Sequence, residues 1–188
     1  KDKALLFDTG SRNARTRETV DRVIERWLKV NSRTEIPLIV THSHRHGDHT
    51  AGDAQFKDRP NTTLVAPNVE AVQKFFGFQS WPEDVVQLDL GSRVMDIVAI
   101  PGHSDDSIAV YDRRTGLLLT GDSVYPGRLY VSEFAEFKRS IHRLASFIEG
   151  KPIAHVLGCH IEQTNTPFLE YPVGKMYQPT GAECRQHH

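Results

Sequence analysis

The sequence predicts an α+β fold in which helices cover one or more sheets, and three observations predict it. Strand and helix patterns alternate early, a β-rich block occupies the middle, and a helix and a strand close the patterned part of the chain. With 188 residues the chain is long enough for one well-buried core and short for two, so a single domain spanning 1–188 is expected.

In chain order, the apolar run Ala4 to Phe7 stops at Asp8-Thr9-Gly10, a strand ended by turn residues. Val20, Val23, Ile24, Trp27 and Leu28 then recur at helical spacing behind Thr16, a suitable N-cap. IPLIVT (36–41) is nearly continuous apolar sequence, as in a strand buried on both faces. TTLVA (62–66) reads as a strand, and Val69, Val72, Phe75 and Phe76 as a short helix that Gly77 ends. A loop, GFQSWPED (77–84), follows. RVMDIVAI (93–100), SIAVYD (107–112) and LLLTGD (117–122) form three strands, the last two joined by a hairpin turn at RRTG with Gly116 at positive φ. Phe134, Phe137, Ile141, Leu144 and Ile148 alternate three and four apart, giving a second amphipathic helix ahead of the strand IAHVL (153–157). Residues 164–188, with three prolines and two glycines, show no period and are expected as an extended segment.

The 23 basic and 24 acidic residues leave a net charge of −1, too little to concentrate nucleic acid or an anionic membrane. No apolar run approaches the roughly 18 residues that cross a bilayer. These features point to a small-molecule substrate, with no nucleic-acid and no membrane partner; they leave the oligomeric state open. Cys159 and Cys184 are too few for a disulfide framework and leave the redox compartment open. The chain enters its first strand without a leader or an initiating Met and reads as processed or trimmed. The location is therefore open between the cytoplasm and a periplasmic or secreted site reached after leader removal.

Polar clusters stand at strand ends: Asp8, the stretch His42 to His49, His103, Asp122 and His160. Five such ends are expected to converge on one site. Within VTHSHRHGDHTAG (40–52) the pattern HxHxDH can start at His44, which fills it with His44, His46, Asp48 and His49. A start at His42 fails, because positions 46 and 47 hold His and Gly where Asp and His are required, so His42 is read as a bystander. Alternate residues of an extended segment point the same way, so His44 and His46 can grip one metal, and a turn at Gly47 brings Asp48 and His49 toward a second. Two cations about 3.5–4 Å apart need anions between them. Asp122 is the best candidate for that further carboxylate. Imidazole and carboxylate ligands suit zinc, with iron or manganese as alternatives.

The pieces LLFDTG, HRHGDHTAG, IPGHSDDSIAVYD, LLLTGDS and HVLGCHIE, in this order, resemble the metallo-β-lactamase superfamily over nearly the whole chain. The resemblance implies an αββα sandwich with metals in a groove at one sheet edge. It assigns His44, His46 and His103 to one metal, Asp48, His49 and His160 to the other, and Asp122 to a bridge. Asp8 would support the ligand loop by hydrogen bonding without touching metal. Members usually begin with one or more strands ahead of this chain's first, so the resemblance implies a first sheet without them. The bridging aspartate, where one large group of true β-lactamases has cysteine, favours the other hydrolase branches.

The implied function is a dinuclear zinc hydrolase, in which two zinc ions lower the pKa of a bridging water toward about 7. The resulting hydroxide attacks an ester, thioester, lactone or β-lactam carbonyl, and Asp48 accepts a proton or orients the nucleophile. Two other readings compete. A di-iron redox protein of this fold needs a flavin partner domain, and the chain has no flavodoxin-like segment. A phosphodiesterase or nuclease branch carries an inserted domain and a basic surface, and neither occurs here. Ser104 and Ser107 lie near His103, but that histidine is committed to metal. For substrate contact, Trp81, Tyr125 and Arg128 are the candidates, Arg128 because a cation beside the metals can hold a carboxylate. Cys159 is expected to point away from the site that His160 faces.

Overall fold

The computed structural model describes residues 2–162, 164, 166 and 169. β1 (Ala4–Phe7), β2 (Leu38–Thr41) and β3 (Thr62–Leu64) form a parallel sheet in the order β1-β2-β3. β4 (Val85–Asp89), β5 (Val94–Ala99), β6 (Ile108–Asp112), β7 (Leu117–Gly121) and β8 (His155–Gly158) make a second sheet in sequence order, antiparallel except between β7 and β8. Four helices accompany them: α1 (Thr16–Val30), α2 (Gly47–Thr50), α3 (Val69–Phe76) and α4 (Phe134–Ile148).

Side-chain alternation along the strands assigns each residue to a layer. Leu5, Phe7, Ile39, Met95, Ile97, Ala99, Ile108, Val110 and Leu119 meet between the sheets, joined by Val72 and Phe76 of α3. Their neighbours face outward. Leu6, Leu38 and Val40 pack under Val20 and Ile24 of α1, and Val98, Ala109, Tyr111 and Leu118 under Leu144 and Phe147 of α4. This is the expected αββα sandwich. Ile97, Val98 and Ile108 are wholly buried, and each such side chain contributes about 1.5–3 kcal/mol. β5 and β6 are therefore a rigid floor for the loops that leave their ends.

Four details differ from expectation. Thr16 is the first residue of α1 and not its cap, since its hydroxyl donates to Thr9 O at 2.7 Å instead of closing the helix end. β4 occupies a stretch assigned to no element; Val86 and Leu88 face the core while Val85, Gln87 and Asp89 face solvent at the sheet edge. β8 starts at His155, two residues later than IAHVL implied. The loop at Gly47 is a helical turn, α2, in place of a simple bend. The positive φ expected at Gly116 and the helix stop at Gly77 are both present, at 69° and 84°. The expected extended segment 164–188 lies outside the described residues apart from Thr164, Thr166 and Leu169. Among the described residues no helix is long and apolar enough to cross a membrane.

Candidate metal centre

The ends of β1, β2, β5, β7 and β8 meet at one edge of the sandwich, and the side chains they carry form two adjoining groups, with a third, Asp8, His49 and Cys159, overlapping the second at His49. His44, His46 and His103 make the first; Asp48, His49, Asp122 and His160 make the second. Continuing the alternation of β2, His42 turns to the α1 side, where its Nε2 lies 2.8 Å from Asp53 Oδ1. The next residue, Ser43, faces the opposite way. Ile108 N–H donates to Ser43 O at 2.9 Å, which ties the loop to the second sheet. β7 ends at Gly121 for a steric reason: a Cβ there would stand 2.7 Å from Ser43 Cβ, and φ is +54°.

In the first group three ring nitrogens face one another. His44 Nε2 is 2.9 Å from His46 Nδ1 and 3.2 Å from His103 Nε2, and His46 Nδ1 is 3.0 Å from His103 Nε2. The back of the His103 ring fixes what its front can do. Its Nδ1 lies 2.6 Å from Tyr130 O, a carbonyl that only accepts, so Nδ1 carries the proton and a neutral ring presents a lone pair at Nε2. His44 Nδ1 similarly has Ser43 Oγ behind it at 3.0 Å. Burial, then the charge on His49, pushes the His44 imidazole down to about 3. A cation between the three nitrogens would be met by the Nε2 lone pair that the Nδ1–H of His103 leaves free.

The second group is built on carboxylates. Asp122 Oδ2 lies 3.2 Å from His160 Nε2, and Asp122 Oδ1 is 3.5 Å from His49 Nε2. Asp48 Oδ2 stands 3.4 Å from His160 Nε2 and 3.5 Å from His49 Nε2. Asp122 Oδ2 also reaches the first group, at 3.6 Å from His103 Nε2 and 3.8 Å from His44 Nε2. Behind His49, Nδ1 donates to Asp8 Oδ2 at 3.0 Å, and the same carboxylate accepts from Ser43 N at 2.7 Å and Ser43 Oγ at 2.9 Å. Cys159 Sγ lies 3.4 Å from Asp8 Oδ2, so the thiol sits on the Nδ1 side of His49. Burial opposes charge on His49, but the neighbouring Asp122 and Asp8 carboxylates, with Cys159, push it up to about 12. His160 is raised chiefly by its hydrogen bond to Asp122. Burial would raise the Asp122 carboxyl, yet the His160 and His49 imidazoles beside it hold it well below the usual carboxylate range.

Two atoms test whether a cation fits. His49 Nε2 and Asp122 Oδ1 are buried and have no hydrogen-bond partner, and leaving such groups unpaired costs about 1–3 kcal/mol each. Ligand atoms about 2.0–2.3 Å from a tetrahedral zinc stand roughly 3.3–3.7 Å apart. The separations in both groups, 2.9–3.5 Å, are close to that. The donor set fits divalent metal.

An open groove of about 530 Å³ exposes both groups, lined by His46, Asp48, His103, Asp122, His160, Tyr125, Tyr130 and Glu162. Of the three expected substrate residues only Tyr125 is there. Trp81 packs instead on Phe78 and the core between the sheets, ring centroids 5.0 Å apart. Arg128 contributes its peptide: its N–H donates to Glu162 Oε2 at 2.5 Å and its carbonyl accepts from Tyr125 OH. Burial, then Glu162, pushes the Tyr125 phenol up to about 12, which keeps it a donor. Ser104 gives its hydroxyl to the Asp106 carboxylate at 2.6 Å and not to a histidine. Sequence reasoning missed Ser43 and Glu162, which had a usable signal, since each lies on the alternation of a strand-end segment. Tyr130 stands close after Asp122 in the sequence and lines the groove, but the carbonyl by which it meets His103 carries no sequence signal.

Comparison with known proteins gives a consistent picture. A family model for the metallo-beta-lactamase superfamily matches residues 1–160. A hydroxyacylglutathione hydrolase of Pseudomonas paraeruginosa is 31% identical over 147 residues, covering 76% of this chain and 55% of the relative. One from Chromohalobacter salexigens is 29% identical over 152 residues, covering 77% and 53%. The chain thus spans about half the length of the curated relatives it matches. Among solved structures, a metallo beta lactamase from Hirschia baltica aligns with a TM-score of 0.60 at 20% identity, over 84% of this chain and 74% of that one. A metallo-beta-lactamase from Pontibacter korlensis gives 0.57 at 18%, over 84% and 74%. At those identities the structural likeness speaks for the fold alone.

Proposed function

The chain belongs to the metallo-β-lactamase superfamily, and from that premise we propose that it is a dinuclear metal hydrolase acting on a carbonyl substrate, with a thioester as the favoured class. The observation that carries the reading is the pair of adjoining ligand groups that share Asp122, with His49 Nε2 and Asp122 Oδ1 buried and unpartnered. His44, His46 and His103 would hold one cation, Asp48, His49 and His160 the other, and Asp122 would lie between; zinc suits this imidazole and carboxylate set. Bound cations supply Lewis-acid polarisation of a carbonyl and hydroxide at neutral pH.

The remaining roles fall to side chains. Asp48, half-exposed at the groove, is the catalytic acid or base: the carboxylate oxygen it does not give to a cation can take a proton from the attacking water or hold it in line. Asp8 holds His49 in the tautomer whose Nε2 faces the site. Tyr125 and Tyr130 form the apolar wall against which an acyl or thiol portion lies. The thioester preference comes from the hydroxyacylglutathione hydrolases that share about three-quarters of this chain.

The test is a parallel hydrolysis screen of thioester, lactone, β-lactam and phosphodiester substrates on zinc-loaded protein, with His46→Ala as the blank. We expect the thioester to be cleaved fastest and the blank to be inert. A blank that matches the parent on every substrate overturns the hydrolase reading; cleavage led by another substrate overturns the thioester preference.

A further inference from the structure

We propose that Glu162 is a positioning residue: through the loop 125–132 it fixes the imidazole of His103, so the wall of the groove and the three-histidine group form one mechanical unit. This rests on reading the site as a metal centre. The loop is clamped at one point and does its work at another. The clamp is the peptide of Arg128, whose N–H donates to Glu162 Oε2 at 2.5 Å and whose carbonyl accepts from Tyr125 OH. Glu162 N–H in turn donates to Pro126 O at 3.0 Å, so side chain and backbone of one residue hold the loop. There is no slack between them. A Cβ on Gly127 would stand 2.6 Å from the Tyr125 ring and 2.8 Å from Glu162 Oε2.

Two residues past the clamp, Tyr130 O accepts the Nδ1 proton of His103 at 2.6 Å. Ser132 adds two further ties to the same residue pair, its N–H to Gly102 O and its Oγ to His103 O, each at 2.9 Å. The loop is therefore the structure that selects the His103 tautomer and aims its Nε2 at His44, His46 and Asp122. Tyr125, Tyr130 and Glu162 also line the groove. A molecule that bears on the two tyrosines bears on the backbone that holds a ligand, and by linkage whatever metal does to substrate binding, substrate does to metal binding.

The experiment is a calorimetric zinc titration of the chelator-stripped chain, repeated in a His160→Ala background where the three-histidine group and Asp122 remain. In that background Glu162→Ala should weaken zinc binding about ten- to a hundredfold, the usual effect of removing support behind a ligand. Glu162→Gln should stay within about threefold of the parent, because a carboxamide oxygen still accepts the Arg128 N–H. Equal affinity for Glu162→Ala and parent overturns the proposal, and so does a loss in Glu162→Gln as large as in Glu162→Ala. Absence of zinc binding in the unmodified chain would instead overturn the metal reading itself. Should circular dichroism show that Glu162→Ala fails to fold, Tyr125→Phe releases the other side of the clamp. It should weaken zinc about two- to tenfold, the worth of one hydrogen bond, and an unchanged affinity there overturns the proposal equally.

Discussion

The three-histidine group and the mixed carboxylate group adjoin each other and share Asp122, yet they are held from behind by different chemistry. His44 and His103 lean on neutral acceptors, the Ser43 hydroxyl and the Tyr130 carbonyl. His49 leans on the charged carboxylate of Asp8 and faces that of Asp122. Without metal, the His44 ring stays uncharged at any ordinary pH, while His49 retains its proton up to about pH 12. A cation entering the first group thus meets a neutral His44, whereas one entering the second must displace a proton from His49. The lesson is that two groups of similar ligand spacing can differ in proton competition because of the atoms behind the rings.

The largest effect should come from removing what the halves share. Asp122→Ala is expected to cut hydrolysis by about a thousandfold or more and bring metal content from about two ions per chain toward one, measured by elemental analysis after gel filtration. If activity and stoichiometry survive, the halves are independent and Asp122 is no bridge.

pH comes next. The sign follows from His49: its raised pKa means that the folded, metal-free chain holds a proton that the metal must displace, so affinity at the mixed group rises with pH. At least one proton released per ion, with the raised His160 adding in the same direction, gives about tenfold or more per pH unit, or about a hundredfold or more between pH 7 and 9; His44, already neutral, adds no such slope. Calorimetry in buffers of different ionisation enthalpy reads the proton count directly. The same imidazolium stabilises the metal-free fold fully below the unfolded value of 6.5 and fades as pH rises toward about 12, so the metal-free chain should melt lower at alkaline pH.

A smaller and more selective effect is expected of Asp8→Asn. The amide keeps the shape but loses the charge behind His49, so the weaker of the two binding events should lose about ten- to a hundredfold while the tighter one stays put. Equal losses in both would mean that Asp8 supports the whole loop through Ser43. Smallest of all is His42→Gln. It removes the bond to Asp53 Oδ1 and should cost about 1–3 kcal/mol of stability in denaturant titration, with metal content unchanged.

Much of this arrangement can be read from the chain because the candidate ligands follow apolar strands, and strand ends in a sandwich collect at its edges. The spacing from His44 to His49 also separates His42 from its neighbours, and the fold gives the reason: alternation beyond β2 turns His42 toward Asp53 and Ser43 toward Asp8. What escapes a sequence reading is the support. Tyr130 holds His103 with a carbonyl, which every residue has, and Arg128 meets Glu162 through its peptide N–H. Trp81, an aromatic beside a proline in a loop, invites assignment to the groove, but with Phe78 it finds apolar partners on the core. β4 escapes because an edge strand with Gln87 and Asp89 turned to solvent lacks the dense apolar run that marks β2.

The most direct test of the two-group account is zinc titration of the chelator-stripped chain at pH 7 and pH 9 with proton release recorded. Two binding events are expected, one whose affinity rises about a hundredfold or more between those pH values with at least one proton released, and one nearly insensitive to pH. A single event, or two with the same pH dependence, would contradict it.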